Sequence, residues 1–168
     1  MPAASTMDIA LEEAYAAAAR GEVPVGAVVT DAAGRVLARA GNRVEEWKDA
    51  SAHAEMLALR AAAAASAPAG APAGDGGPRL SGCTLTVTLE PCPMCAQAAS
   101  FFRVKRLVFG AYDPKGGGVD HGARIYAATS CHHRPEVVGG VREGECGAVL
   151  RAFFAELRVG AGRDGGPG

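Results

Sequence analysis

Hydrophobic and polar positions divide this chain into alanine- and leucine-rich stretches of helical length and short β-branched runs bounded by glycine, proline or aspartate. Residues 7–20 form the first predicted helix. Ser5 and Thr6 can cap it, Asp8, Glu12 and Glu13 favour its early turns, and Gly21 ends it. Residues 23–29 and 35–39 then pair as a predicted hairpin across residues 31–34, with Gly34 at the tight position. A polar loop, 42–51, carries Trp47 and delivers the chain to a helix around His53, for which Ser51 is the expected cap.

Beyond a low-complexity Ala/Pro/Gly linker at 67–78, the pattern predicts a strand at 83–89, a helix at Cys92 and a strand at 104–109. The loop holding Gly116, Gly117 and Gly118 is no P-loop, because no Gly-Lys-Ser/Thr enters a helix, and it reads as a flexible connector. A short helix near 123–128, a strand at 136–138 and a helix at 143–158 follow. The order α-β-β-α-β-α-β-α-β-α predicts an α/β domain, a mixed sheet covered by helices on both faces. The expected division is a single domain over 1–160 with a disordered tail at 161–168.

Two strings change the picture from fold to chemistry: His53-Ala54-Glu55 and Pro91-Cys92-Pro93-Met94-Cys95. They supply one imidazole, two thiols and a spare carboxylate. Three protein ligands of this kind hold a catalytic zinc and leave a fourth position for water, whose pKa falls to about 7 when bound. Cys92 and Cys95 are three apart, so in a first helical turn both sulfurs share a face, and the helix N-terminus stabilises their thiolates. Proline at 91 and 93 suits such a start. His53 and Glu55 are two apart and point in different directions on a helix, which leaves the carboxylate to address the water rather than the metal. Taken alone, Cys-x-x-Cys also fits a thioredoxin-like redox pair or a structural zinc knuckle, and His-x-Glu an ordinary solvated helix. A structural site needs four ligands, and none of Cys83, Cys131 and Cys146 has knuckle spacing.

At 168 residues and 49% hydrophobic composition the chain suffices for one well-buried core. Five cysteines are odd in number and too sparse for a disulfide scaffold, and free thiols beside a metal pair point to the cytoplasm. Residues 1–19 lack the basic start and unbroken apolar run of a signal peptide, and no stretch reaches the roughly 20 apolar residues of a membrane span. Net charge is -1, yet residues 103–134 hold six Lys or Arg against Asp113 and Asp120. Such a local basic face attracts phosphates, or is simply a set of solvated arginines.

The motifs, with Asn42, Thr88-Leu-Glu-Pro-Cys92, Val108-Phe-Gly-Ala111, Asp113 and Lys115, make the chain resemble the zinc-dependent cytidine/deoxycytidylate deaminase superfamily, and most of all its bacterial tRNA-specific adenosine deaminases. The likeness runs from about Met7 to Arg158. It implies the three-layer α/β/α cytidine-deaminase-like fold with a five-stranded mixed sheet. It also implies one Zn2+ per subunit on His53, Cys92 and Cys95, with Glu55 moving protons as hydroxide attacks C6 of adenine, the established chemistry of these deaminases. The implied partners are a tRNA anticodon stem-loop, converted from adenosine to inosine at the wobble position, and a second copy of the chain. Asn42, Ala54, Asp113, Lys115, His133 and Arg134 are the substrate-binding residues that the resemblance suggests. Aromatic stacking on RNA would draw on Tyr112, Tyr126, Phe153 or Phe154, with core packing the alternative for the two phenylalanines. Residues 116–130, His132 and the 67–78 linker depart from better-known members. Deamination of a free base or nucleoside, such as guanine or cytosine, by the same centre is the competing activity, and a zinc-stabilised binding module without catalysis the competing class.

Overall fold

The computed structural model describes residues 5–66 and 79–163. The expected linker at 67–78 and residues 164–168 of the expected tail lie outside them. Along the chain run α1 (Thr6–Ala19), β1 (Gly26–Thr30), β2 (Val36–Gly41), α2 (Val44–Trp47), α3 (Ala54–Ser66) and β3 (Thr84–Leu89), then α4 (Pro93–Phe101), β4 (Arg106–Ala111), a 3₁₀ turn (Ile125–Ala127), β5 (Glu136–Val138) and α5 (Glu143–Arg163). The predicted order holds, with one addition: the polar loop contains the short helix α2. The last helix also continues through Arg163, so residues 161–163 are helical where a tail was expected.

The strands form one mixed sheet in the order β2-β1-β3-β4-β5. β1 runs antiparallel to β2 and β3, whereas β3, β4 and β5 are mutually parallel. Side chains on a strand alternate between faces. Ala27 and Val29 therefore enter the core beneath α3 and α4 with Leu85, Val87, Leu107 and Phe109. Val28 points the other way, into the core that α1 and α5 close with Met7, Leu11, Cys146 and Val149. This is the three-layer α/β/α arrangement.

Local chemistry explains the element ends. Ser5 accepts from the Asp8 amide and Asp8 answers the Ser5 amide, a reciprocal capping box that starts α1. Gly26 lets α1 lie directly on β1, since a Cβ there would sit 1.8 Å from the Ala10 carbonyl oxygen.

Strand register fixes what gathers at each end of the sheet. Gly26 pairs with Gly41, and Leu89 with Ala111, so residues 25, 42, 90 and 113 converge just beyond one edge. Thr30 pairs with Thr84, Thr84 with Arg106, and Arg106 with Glu136 at the opposite edge. The first edge is the carboxyl end of the parallel strands, where open α/β sheets bind ligands. No helix among the described residues is long and apolar enough to cross a membrane.

Candidate metal centre and substrate pocket

Two helix beginnings meet at that edge. His53 immediately precedes α3, and its carbonyl accepts from the Leu57 amide, which makes it the N-cap residue. Cys92 is the N-cap of α4, and Cys95 lies in the same first turn behind Pro93. Both positive helix ends thus face one point, a favourable place for thiolates.

His53 Nδ1 stands 3.6 Å from Cys92 Sγ and 3.5 Å from Cys95 Sγ, and the three donor atoms lie within 4.8 Å of one another. Zinc bonds of about 2.3 Å to sulfur and 2.0–2.1 Å to nitrogen, set at the tetrahedral angle, require N···S separations of about 3.5 Å. The donor set therefore fits one zinc ion, and among the described residues it offers three ligands rather than the four of a structural site. All five cysteines are free, as expected. Cys92 ionises first: the hydrogen bond from Cys95 outweighs its desolvation and, with His53, lowers it to about 4. Cys95 is pushed up by sharing that bond with Cys92, by burial and by the nearby Glu55 carboxylate.

Glu55 sits in the first turn of α3 and is only 4% exposed, yet it lines a cleft of about 370 Å³ with His53 and Cys92. Burial pushes its carboxyl above the ordinary range, partly opposed by a backbone hydrogen bond and by His53. Val25, Val44 and Leu89 supply apolar walls to the same cleft, and Asn42 and Asp113 polar ones.

Asn42 has two jobs there. Its Oδ1 accepts from the Ala54 amide at 2.8 Å, satisfying an orphan donor at the start of α3. The expected cap Ser51 instead donates to Asp49. Because Oδ1 is committed, the Asn42 amide nitrogen is the group left to donate into the cleft. Ala54 is fully buried and takes part through that backbone bond alone. Asp113 also folds its own turn, accepting from the Lys115 and Gly116 amides. Lys115 is exposed beside the cleft wall at Gly116.

Two site residues carried no role in the sequence reading. Glu90, 2% exposed, accepts five hydrogen bonds: Oε1 from the Asp113 amide and His121 Nδ1, Oε2 from the amides of Val119, Asp120 and His121. The glycine loop is therefore wound around a buried carboxylate rather than being a flexible connector. Gly117 makes room for it, since a Cβ there would lie 2.3 Å from Glu90 Oε2. Burial raises the Glu90 pKa, but His121 and these amides outweigh it and hold the carboxyl below its usual range. Glu22, also buried, accepts from the Glu45 and Glu46 amides and so anchors α2, which forms the opposite wall. A glutamate flanked by leucine and proline was the available signal for Glu90, since a charge there is costly unless bonded.

His133 and Arg134 are elsewhere. His133 Nε2 bonds to the Val104 carbonyl at 2.7 Å, and the Arg134 guanidinium donates to the carbonyls of Tyr126 and Ala128. Both line a different cleft, at the opposite edge of the sheet. Among the aromatic candidates, Tyr126 donates its hydroxyl to the Ala96 carbonyl, Tyr112 packs edge-on against Phe109, and Phe153 packs against the more exposed Phe154.

Known proteins resemble this chain in sequence and fold. A tRNA-specific adenosine deaminase of Agrobacterium fabrum is 49% identical over 154 residues, 91% of this chain and 94% of that one. A solved structure from a study of A-to-I editing by tRNA:A34 deaminases at the wobble position of transfer RNA superposes with a TM-score of 0.78 at 48% identity, covering 86% of this chain and 98% of that one. A guanine deaminase from Nitrosomonas europaea superposes with a TM-score of 0.71 at 27% identity, covering 89% and 83%. The family model described as the cytidine and deoxycytidylate deaminase zinc-binding region matches residues 2–111, which include His53, Cys92 and Cys95. With the fold, the three-ligand zinc set and the full-length likeness in agreement, the chain belongs to the zinc-dependent cytidine and deoxycytidylate deaminase family.

Proposed function

We propose that this protein converts adenosine to inosine at the wobble position of a tRNA anticodon, consuming water and releasing ammonia. The observation that carries this reading is the 49% identity to a tRNA-specific adenosine deaminase across nearly the whole length of both chains. His53, Cys92 and Cys95 hold the zinc, which when bound supplies Lewis acidity and a water-derived nucleophile at neutral pH.

The chain's own residues do the rest. Glu55, inside the cleft and beside the ligands, carries one proton of the attacking water to a purine ring nitrogen and then the second, from the newly formed hydroxyl, to the departing amine. Asn42, with Oδ1 fixed by Ala54, donates from its amide to a purine acceptor and orients the flipped base. Val25, Val44 and Leu89 flank the flat ring and keep bulk water from it. Glu22 and Glu90 act as positioning residues, holding the α2 wall and the Asp113–His121 wall in place. Asp113 and Lys115, at the cleft rim, meet the nucleotides next to the target. We read the protein as cytoplasmic and homodimeric, as the free thiols and the family suggest.

The second reading is deamination of a free purine base, favoured by the lower-identity likeness to a guanine deaminase. Zinc-loaded protein incubated with a wobble-adenosine anticodon stem-loop, and separately with guanine, adenine and their nucleosides, separates the two. Inosine in the RNA, with the small molecules unchanged, is the expected result. Turnover of a small molecule with untouched RNA would reverse the assignment.

A further inference from the structure

Three of the six basic residues noted between 103 and 134, namely Arg103, Lys105 and Arg134, lie away from the metal pocket, and Arg79 joins them. Arg79, Arg103, Lys105 and Arg134 instead line a cleft of about 630 Å³ with His133, at the amino ends of β3 and β4. Thr84 to Leu89 is five strand steps, so this cleft lies at least about 17 Å from the catalytic edge at the usual rise of about 3.3 Å per residue. Among the described residues its single lining carboxylate, Glu136, is already paired with Arg106 Nε at 3.2 Å. Four like charges thus converge on a protein whose net charge is only -1.

Ordinary structural needs explain this only in part. Lys and Arg just past a helix C-terminus favour the dipole, which covers Arg103 and Lys105 behind α4. Arg79 comes from the segment leading into β3, and Arg134 from the segment before β5, so neither is explained that way. Arg103 also holds φ at 61°, the left-handed conformation where a glycine after a helix would be unstrained. Arg134 and His133 are braced by main-chain carbonyls, which fixes the cleft's shape. A rigid, positively charged concavity matches phosphate oxygens, and arginine suits their bidentate geometry.

We propose that this cleft binds backbone phosphates of the tRNA outside the anticodon stem-loop, as a second contact with the substrate. The inference rests on the tRNA reading above and adds to it a region of the substrate. It also explains how a pocket that admits one base can select a whole tRNA: affinity is distributed to a site remote from the chemistry.

The test compares zinc-loaded wild type, an Arg79→Ala/Lys105→Ala variant and an Arg103→Gly variant. Each is titrated with full-length wobble-adenosine tRNA and with the isolated anticodon stem-loop at several salt concentrations, and inosine formation is measured separately. For full-length tRNA the double variant should weaken binding roughly tenfold, and the slope of log affinity against log salt should fall by roughly 1 per lost phosphate contact. Stem-loop affinity and kcat should not change. Arg103→Gly should keep the wild-type Tm, because glycine suits that backbone, while weakening full-length tRNA alone. Equal losses on both RNAs, or none on either, would overturn the proposal. Absence of inosine from both RNAs with wild type would sink the functional reading instead, and the binding comparison would still decide the cleft.

Discussion

Glu55→Gln is expected to lower kcat for inosine formation at least about a hundredfold while zinc content and Tm stay at wild-type values. Glutamine keeps the shape of the side chain and can still hydrogen-bond, but it cannot carry a proton from water to the purine. Glu55 is not needed to hold the metal, because His53, Cys92 and Cys95 already converge at the separations a tetrahedral zinc requires. Nor is the fold expected to suffer, since a neutral amide replaces a carboxyl that burial already disfavours as an anion. Steady-state kinetics beside metal analysis and calorimetry check the three parts together. Near-normal turnover would remove the proton-shuttle role, and loss of zinc would make Glu55 a ligand in fact.

The largest expected effect on stability is at Glu90. Glu90→Ala removes the shared acceptor of four backbone amides and of His121 Nδ1. A buried donor left without a partner costs about 1–3 kcal/mol, and part of the loop can turn to water, so a loss of about 3 kcal/mol or more is expected. For a domain of this size that corresponds to a Tm drop of roughly 6–12 °C. Activity should fall with it, because the same carboxylate seats Asp113 and the loop that packs against the start of α4. Thermal unfolding of the zinc-loaded variant reads the effect. A change under about 1 kcal/mol would mean that the loop is held by other contacts.

What sequence showed and what it hid divide along the range of the interactions. The metal ligands were legible because their chemistry is local: a His-x-Glu before one helix and a Cys-x-x-Cys at the start of another announce themselves in a few residues. The hairpin and the layered sheet were legible because β-branched runs and turn residues have short periods. α2 was missed because its four residues depend on Glu22, more than twenty positions earlier, for their N-terminal amides. The cap of α3 was placed on Ser51 by proximity, whereas Asn42 reaches it across the fold. Glycines 116–118 suggested freedom, but Gly117 and Gly118 mark where the chain must pass close to Glu90 and Pro93. His133 and Arg134 carry charge-bearing side chains whose sequence neighbourhood gave no sign of which sheet edge they would reach. That depends on β5 pairing parallel to β4.

The proposed chemistry depends on a zinc bound by three side chains that two helix starts bring together. Elemental analysis of fully active protein, paired with inosine assays before and after chelation, tests this most directly. One zinc per chain, loss of activity on stripping and recovery on adding zinc back are predicted. Full turnover by protein carrying no stoichiometric metal would contradict it.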